Sequence, residues 1–230
     1  MTDAQLKSAR LQRALGYEFS DGDLLKLALT HRSAGNRNNE RLEFLGDSIV
    51  NHVIAEHLFQ NFPDAREGDM SRMRAALVKG DTLAEVAREL ELGDYLTLGS
   101  GERKSGGHRR GSILADALEA IFGAVFLDSG FDAACQVVTR AFGDRLETLP
   151  DPDELRDPKT RLQEWLQAEG LSLPYYELVS VSGKAHRQTF EVRCVVPGTD
   201  SVADGTGTSR RTAEQQAAER MLAAIRQVLP

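Results

Sequence analysis

The segment Leu149-Pro150-Asp151-Pro152-Asp153-Glu154-Leu155-Arg156-Asp157-Pro158 divides this 230-residue chain into two unlike halves. Its three prolines and its acids favour extended, solvated chain and interrupt any regular element. The hydrophobic period changes across it. Before it, Leu11, Leu15, Leu24, Leu25, Ala28 and Leu29 recur at helical spacing, and 40–60, 68–78, 80–90, 112–128 and 131–146 continue that pattern. Residues 99–111, rich in glycine and basic side chains, read as a loop. After it, Leu162, Trp165 and Leu166 mark a short amphipathic helix and Tyr175–Val181 a strand. Phe190, Val192, Cys194 and Val196 alternate with Thr189, Glu191, Arg193 and Val195, the pattern of a half-buried strand. A short third strand is expected at 201–206. Ala213, Ala217, Met221 and Ile225, spaced by four, predict a closing helix. The expectation is a multidomain protein: an all-α domain over 1–149, a linker over 150–156, and an α+β domain of order α-β-β-β-α over 157–229.

Several classes drop out. No run of 18 apolar residues is present, which excludes a transmembrane helix. The opening Met1-Thr2-Asp3-Ala4-Gln5 is not a secretory signal. Cys135 and Cys194 make neither a disulfide framework nor a zinc spacing, and read as reduced thiols of a cytoplasmic protein. The net charge of −7 is unexpected for a nucleic-acid binder, but it is unevenly spread. Residues 157–230 carry 9 basic and 9 acidic side chains; residues 1–156 carry the other 19 and 26. Local clusters, rather than net charge, decide what each part binds.

On a helical wheel Glu40, Glu43 and Asp47 share one stripe, with Leu42, Leu45 and Ile49 opposite and Phe44 and Val50 beside it. Three acids on a helix are ordinarily a solvated face. Two details speak against that here. Positions 44, 47 and 51 are Phe, Asp and Asn, so no cation stands at i+4. The flanking residues are also apolar, which partly excludes water. Two like charges about 4 Å apart cost roughly 4 kcal/mol at an effective dielectric of 20, so something cationic is expected to offset them.

A second stripe lies in Ser112–Gly123. Asp116 and Glu119 share a face with Gly123 and nearby Ala120, backed by Leu114, Leu118, Ile121 and Val125. The small residues let another element approach closely. Two such helices could cross with their carboxylates converging, a donor set suited to Mg²⁺ or Mn²⁺. A divalent ion lowers the pKa of a bound water and neutralises charge on a phosphate, the equipment of phosphodiester hydrolysis.

The run Asn39-Glu40-Arg41-Leu42-Glu43-Phe44-Leu45-Gly46-Asp47-Ser48-Ile49-Val50 resembles the signature motif of bacterial ribonuclease III. The likeness extends to Glu67–Val78 and to Ser112–Glu119. The resemblance implies Glu43, Asp47, Asp116 and Glu119 as metal ligands for Mg²⁺ (with Mn²⁺ as substitute), and Asp47 and Glu119 as catalytic residues. It implies accessory acids at Glu40 and Glu67, although for Glu67 an ion pair with Arg72 or Arg74 fits equally well. Arg103, Lys104, Gly106 and Gly107 resemble a substrate-facing loop, with a merely solvated loop as the alternative. His31, His52 and His57 read as surface or packing residues.

Asp157–Leu229 resembles a double-stranded RNA-binding domain at three patches. Thr160, Gln163 and Glu164 occupy the exposed side of its first helix, where polar groups reach 2′-hydroxyls. Gly183, Lys184, Ala185 and His186 form a loop between strands, with Lys184 where the family often has Pro. Ser209, Arg210 and Arg211 open the last helix, whose N-terminal dipole favours phosphate. Each patch alone also has an ordinary reading, an N-cap at Ser209 or an exposed arginine pair. The implied protein is a homodimeric endoribonuclease that cuts double-stranded RNA, leaving 5′-phosphate and 3′-hydroxyl ends with short 3′ overhangs. Its implied substrates are ribosomal, messenger and transfer RNA precursors. The rival expectation is a non-catalytic double-stranded RNA-binding dimer, which has no use for unpaired acids.

Overall fold

The structure is a computed structural model that describes residues 3–149, 151–184 and 187–228. It divides into two compact units, Met1–Pro152 and Asp153–Pro230. Among the described residues no helix is long and apolar enough to cross a membrane.

The first unit is helical: α1 (Asp3–Leu15), α2 (Gly22–Ala28), α3 (Glu40–Asn61), α4 (Glu67–Val78), α5 (Gly80–Glu89), α6 (Ser100–Lys104), α7 (Gly111–Ser129) and α8 (Phe131–Phe142). The expected amphipathic character of α7 understates its burial. Ala117, Leu118, Ala120, Ile121, Phe122, Ala124 and Val125 are all buried, because α2, α3, α5 and α8 pack around it. A helix apolar on nearly every side belongs at the centre of a domain. Its acids Asp116 and Glu119 interrupt that surface on the side facing α3.

Glycines set how closely α3 meets α7. A Cβ at Gly46 would overlap the main-chain oxygen of Glu119, and one at Gly123 the main-chain oxygen of Leu42. The two helices therefore touch backbone to backbone. Residues 99–111 differ from the loop expected of them. They form α6, a left-handed turn at Gly106 (φ +81°) and a 3₁₀ turn over Gly107–Arg109, tied by an Arg110–Glu102 ion pair at 2.8 Å. Glycine supplies the positive φ that lets these short turns follow one another.

The second unit contains α9 (Pro158–Ala168), the antiparallel strands β1 (Tyr175–Lys184), β2 (Arg187–Val195) and β3 (Val202–Gly207) in spatial order β1-β2-β3, and α10 (Arg210–Val228). The alternation in β2 buries Val192 and Cys194; Cys194, and Val196 just beyond the strand, pack with Leu162 and Leu166 of α9 and Ala217, Met221 and Ile225 of α10. Asp157 caps α9 by accepting the Lys159 N–H at 2.9 Å, with Pro158 at the first helical position. The segment before α9 is folded into turns rather than extended: Arg156 bridges Asp153 at 3.3 Å and Glu164 at 2.7 Å.

Candidate active site

The α3–α7 crossing brings three of the predicted acids together. Glu43, Asp116 and Glu119 each offer a carboxylate oxygen, and these oxygens lie within 4.8 Å of one another. All three side chains are partly buried. Burial pushes the Glu119 carboxyl up to about 8, helped by the charges of Asp47, Asp116 and Glu43. Burial also raises Glu43, with Asp116 and Glu40 adding to it and Arg32 opposing. Asp116 is raised by burial, against the pull of His31 and Arg32. Clustered carboxyls whose charge is resisted by burial and by one another fit a hard divalent cation: the oxygens suit it, and its charge would relieve the repulsion.

Asp47 is exposed at the edge of this triplet. It is close enough to act on Glu119 and is held by the Asn51 side-chain amide, which donates to its Oδ1 at 2.9 Å. Glu40 is exposed and pairs with Arg32 at 3.5 Å. Glu67 is not brought to the cluster. It lines a separate groove with Ala55, Phe59 and Arg74 and accepts a hydrogen bond from Ser71 at 2.8 Å. Arg72, one of its expected ion-pair partners, pairs with Asp69 instead. Phe44 does not screen the acids either: it points to solvent, 80% exposed. What excludes water from them is the face of α7.

Three neighbours of the acids escaped the reading of the sequence. His31, expected at the surface or in packing, is buried and lines the acid groove with Arg32 and Asn39. Its Nδ1 accepts the Ser33 N–H at 3.2 Å and lies 2.8 Å from Ser33 Oγ. Asn39 is buried and donates from its side chain to Ala28 O at 3.2 Å. Arg32 is the expected counter-cation, but it arrives from another segment, where helical spacing cannot reveal it. Of the other two histidines expected at the surface or in packing, His52 is exposed with its ring edge-on to Phe131, and His57 is half-buried near Leu146 O.

In the C-terminal unit, Thr160, Gln163 and Glu164 lie exposed on α9, with Glu164 engaged by Arg156. Gly183 is exposed at the end of β1, at φ +94°. Ala185 and His186 lie outside the described residues. Ser209 Oγ accepts the Thr212 N–H at 3.2 Å, and Arg210 and Arg211 follow it, exposed, in the first turn of α10. Glu214 is gripped from two sides, by Lys159 at 2.6 Å and Arg210 at 2.9 Å.

Residues 21–146 match the family described as ribonuclease-III-like, and residues 158–225 match the double-stranded RNA binding motif. The chain is 60% identical over 219 residues to Ribonuclease 3 of Hahella chejuensis, an alignment spanning 95% of this chain and 97% of that one. It belongs to the ribonuclease III family. Ribonuclease 3 of Nitrosococcus oceani is 58% identical, over 94% of each chain. Among solved structures, the nuclease domain of ribonuclease III from Campylobacter jejuni matches with 42% identity and a TM-score of 0.60, over 65% of this chain and all of that one. This ribonuclease III chain is thus an endoribonuclease with a helical nuclease domain followed by a double-stranded RNA-binding domain.

Proposed function

We propose that the chain cuts double-stranded RNA by Mg²⁺-dependent hydrolysis, with Mn²⁺ able to substitute. The products are 5′-phosphate and 3′-hydroxyl ends with short 3′ overhangs. The domains are 1–149 and 157–229, joined by 150–156. The substrates are ribosomal RNA precursors and some messenger and transfer RNA precursors, processed in the cytoplasm. The observation that carries this reading is the convergence of Glu43, Asp116 and Glu119 to within 4.8 Å, in a chain whose other domain binds RNA duplexes.

Glu43, Asp47, Asp116 and Glu119 hold the metal, with Asp47 and Glu119 as catalytic residues. A bound divalent ion supplies a water of lowered pKa and neutralises charge building on the phosphate. Glu119, whose carboxyl burial pushes up to about 8, would have to give up its proton to hold the ion. Asn51 restrains the Asp47 carboxylate by its hydrogen bond. Glu40 is an accessory acid near the strand being cut, and Glu67 is an accessory acid acting from its separate groove. Thr160, Gln163, Glu164 and Gly183 with Ala185 and His186 address successive minor grooves, and Ser209, Arg210 and Arg211 address the phosphates between them.

The working form is a homodimer. Phe44, 80% exposed, and Leu127, 54% exposed, line an apolar groove of about 1200 Å³ with Leu24, Leu27 and Leu45. An exposed phenylalanine beside such a groove suits a second copy of the same face. The Campylobacter jejuni nuclease domain is itself described as having a region involved in dimer formation.

The test is incubation with duplex RNA, with and without Mg²⁺, beside Glu119→Gln. The expected outcome is metal-dependent cutting that falls by on the order of a thousandfold in the variant. Absence of cutting by the wild type with either ion sinks the reading; undiminished cutting by the variant sinks the site. Sedimentation of Phe44→Asp is expected to give monomers.

A further inference from the structure

The acid groove, about 200 Å³, is lined by His31, Arg32, Asn39, Glu40, Glu43 and Asp116. Arg32 is the sole arginine or lysine among those lining residues. Its main chain is rigidly mounted. His31 N donates to Thr97 O at 3.0 Å, and Gly99 N donates to Ser33 Oγ at 3.0 Å. Asn39 N donates to Thr30 O at 2.9 Å, which ties the same segment to the start of α3. A Cβ at Gly99 would overlap the Ser33 carbonyl, so this approach too is backbone on backbone.

The Arg32 side chain, by contrast, is loosely held. It is 70% exposed, and its Nη1 lies 3.5 Å from an Oε1 of Glu40 that belongs to a side chain 51% exposed. Exposed single-contact pairs of this kind are weak. A guanidinium takes phosphate oxygens through paired N–H groups, a better match than one distant carboxylate oxygen. An RNA strand entering the groove brings phosphates to a wall in which three carboxylates, Glu40, Glu43 and Asp116, stand beside this one guanidinium.

We propose that Arg32 is a substrate-phosphate contact: when duplex RNA lies over the acid groove, its guanidinium leaves Glu40 and takes a backbone phosphate oxygen next to the bond that is cut. This rests on the proposed reading of the groove as the cleavage site. The Glu40 pairing is then a parking position that keeps the side chain aimed at the groove before RNA arrives. A rigid main chain carrying a loosely held cation suits that task, since the side chain changes partner without moving its mount.

The experiment measures affinity of the full-length protein for a short blunt duplex RNA in Ca²⁺ buffer by fluorescence anisotropy, over a series of salt concentrations. Wild type, Arg32→Gln, Arg32→Lys and Glu40→Gln are compared, after thermal unfolding shows that all four are folded. Arg32→Gln is expected to weaken binding about three- to tenfold and to reduce the slope of log affinity against log salt by about one per protomer. Arg32→Lys is expected to keep the slope and lose part of the affinity. Glu40→Gln, which frees the guanidinium, is expected to bind at least as tightly as wild type. An unchanged affinity and slope in Arg32→Gln overturns the proposal. So does a variant that needs a different Mg²⁺ concentration for cutting but binds RNA like wild type, because Arg32 then only balances the acids. Binding is read without cleavage, so a wild type that binds but does not cut in Mg²⁺ counts against the proposed function and leaves the Arg32 result to stand on its own slope.

Discussion

The acid groove of the helical unit and the α9–α10 side of the C-terminal unit treat their carboxylates in opposite ways. In the helical unit, burial and mutual crowding raise Glu43, Asp116 and Glu119 from their ordinary values, Glu119 up to about 8. In the C-terminal unit Asp157, Asp204 and Glu214 are matched. Burial works to raise Glu214 and Asp157, but hydrogen bonds outweigh it, from Lys159 and Arg210 onto the first and from Gln215 and the Lys159 and Thr160 main chain onto the second. The Arg193 hydrogen bonds hold Asp204 low. Unpaired acids cost stability and leave a demand for a cation; paired acids contribute stability and leave none. The chemistry belongs in the first unit for that reason. The second can recognise an RNA duplex by shape and phosphate while remaining electrically neutral.

Both units also place main chain against main chain at glycine, and the comparison breaks most severely there. Gly46→Ala forces a methyl group into the α7 backbone, and Gly205→Ala forces one into the main chain of α10 at Ala213 and Ala217. Each is expected to cost about 3 kcal/mol or more, read as lost thermal stability. Hydrogen exchange on the whole chain is expected to confine each loss to its own unit. A loss shared by both units would mean they unfold as one.

The next effect differs in sign. Glu119→Gln removes an unfavourable buried charge and is expected to stabilise the metal-free protein above pH 8 by on the order of 2 kcal/mol after allowance for solvent screening. Glu214→Gln is expected to destabilise by about 1 kcal/mol, because it weakens the hold on Lys159 and Arg210. Equal signs in chemical denaturation would undo the contrast.

The pH response is expected to divide along the same line. Glu119 binds its proton more tightly folded than unfolded, so between the ordinary carboxylate range and about pH 8 the folded helical unit holds the extra proton. Its metal-free stability therefore falls as pH rises through that window. Asp157, Asp204 and Glu214 have depressed folded values, so their contribution is complete above the ordinary carboxylate range and is lost as pH falls through those values. Chemical denaturation of the whole chain, with amide exchange to assign each change to its unit, followed from about pH 2 to about pH 9, checks both trends together. The smallest effect is expected from Arg211→Ala, a weakening of duplex binding by roughly threefold with a shallower salt dependence.

Much of this was legible in the sequence, since each helix of the crossing carries its acids at a spacing that reveals their shared face. The missing information was tertiary. Periodicity says that Glu43 and Asp47 share a stripe; it does not say that Gly46 between them is the point of contact with α7. It placed Phe44 beside the acids, whereas the structure turns that ring to solvent. It offered no route to Arg32 or His31, which reach the groove through a turn clamped by Thr97 and Asn39. Glycine and basic residues at 99–111 suggested open loop, yet a positive φ at Gly106 and the Glu102–Arg110 pair fold that stretch into short helical turns.

The Gly46 contact has a genetic consequence. The atoms that obstruct a methyl there belong to the main chain of Glu119, which every substitution on α7 retains. Trimming a side chain opposite cannot make room. A selection for restored activity in Gly46→Ala is expected to return reversion to glycine and no compensating change at position 119, 120 or 123.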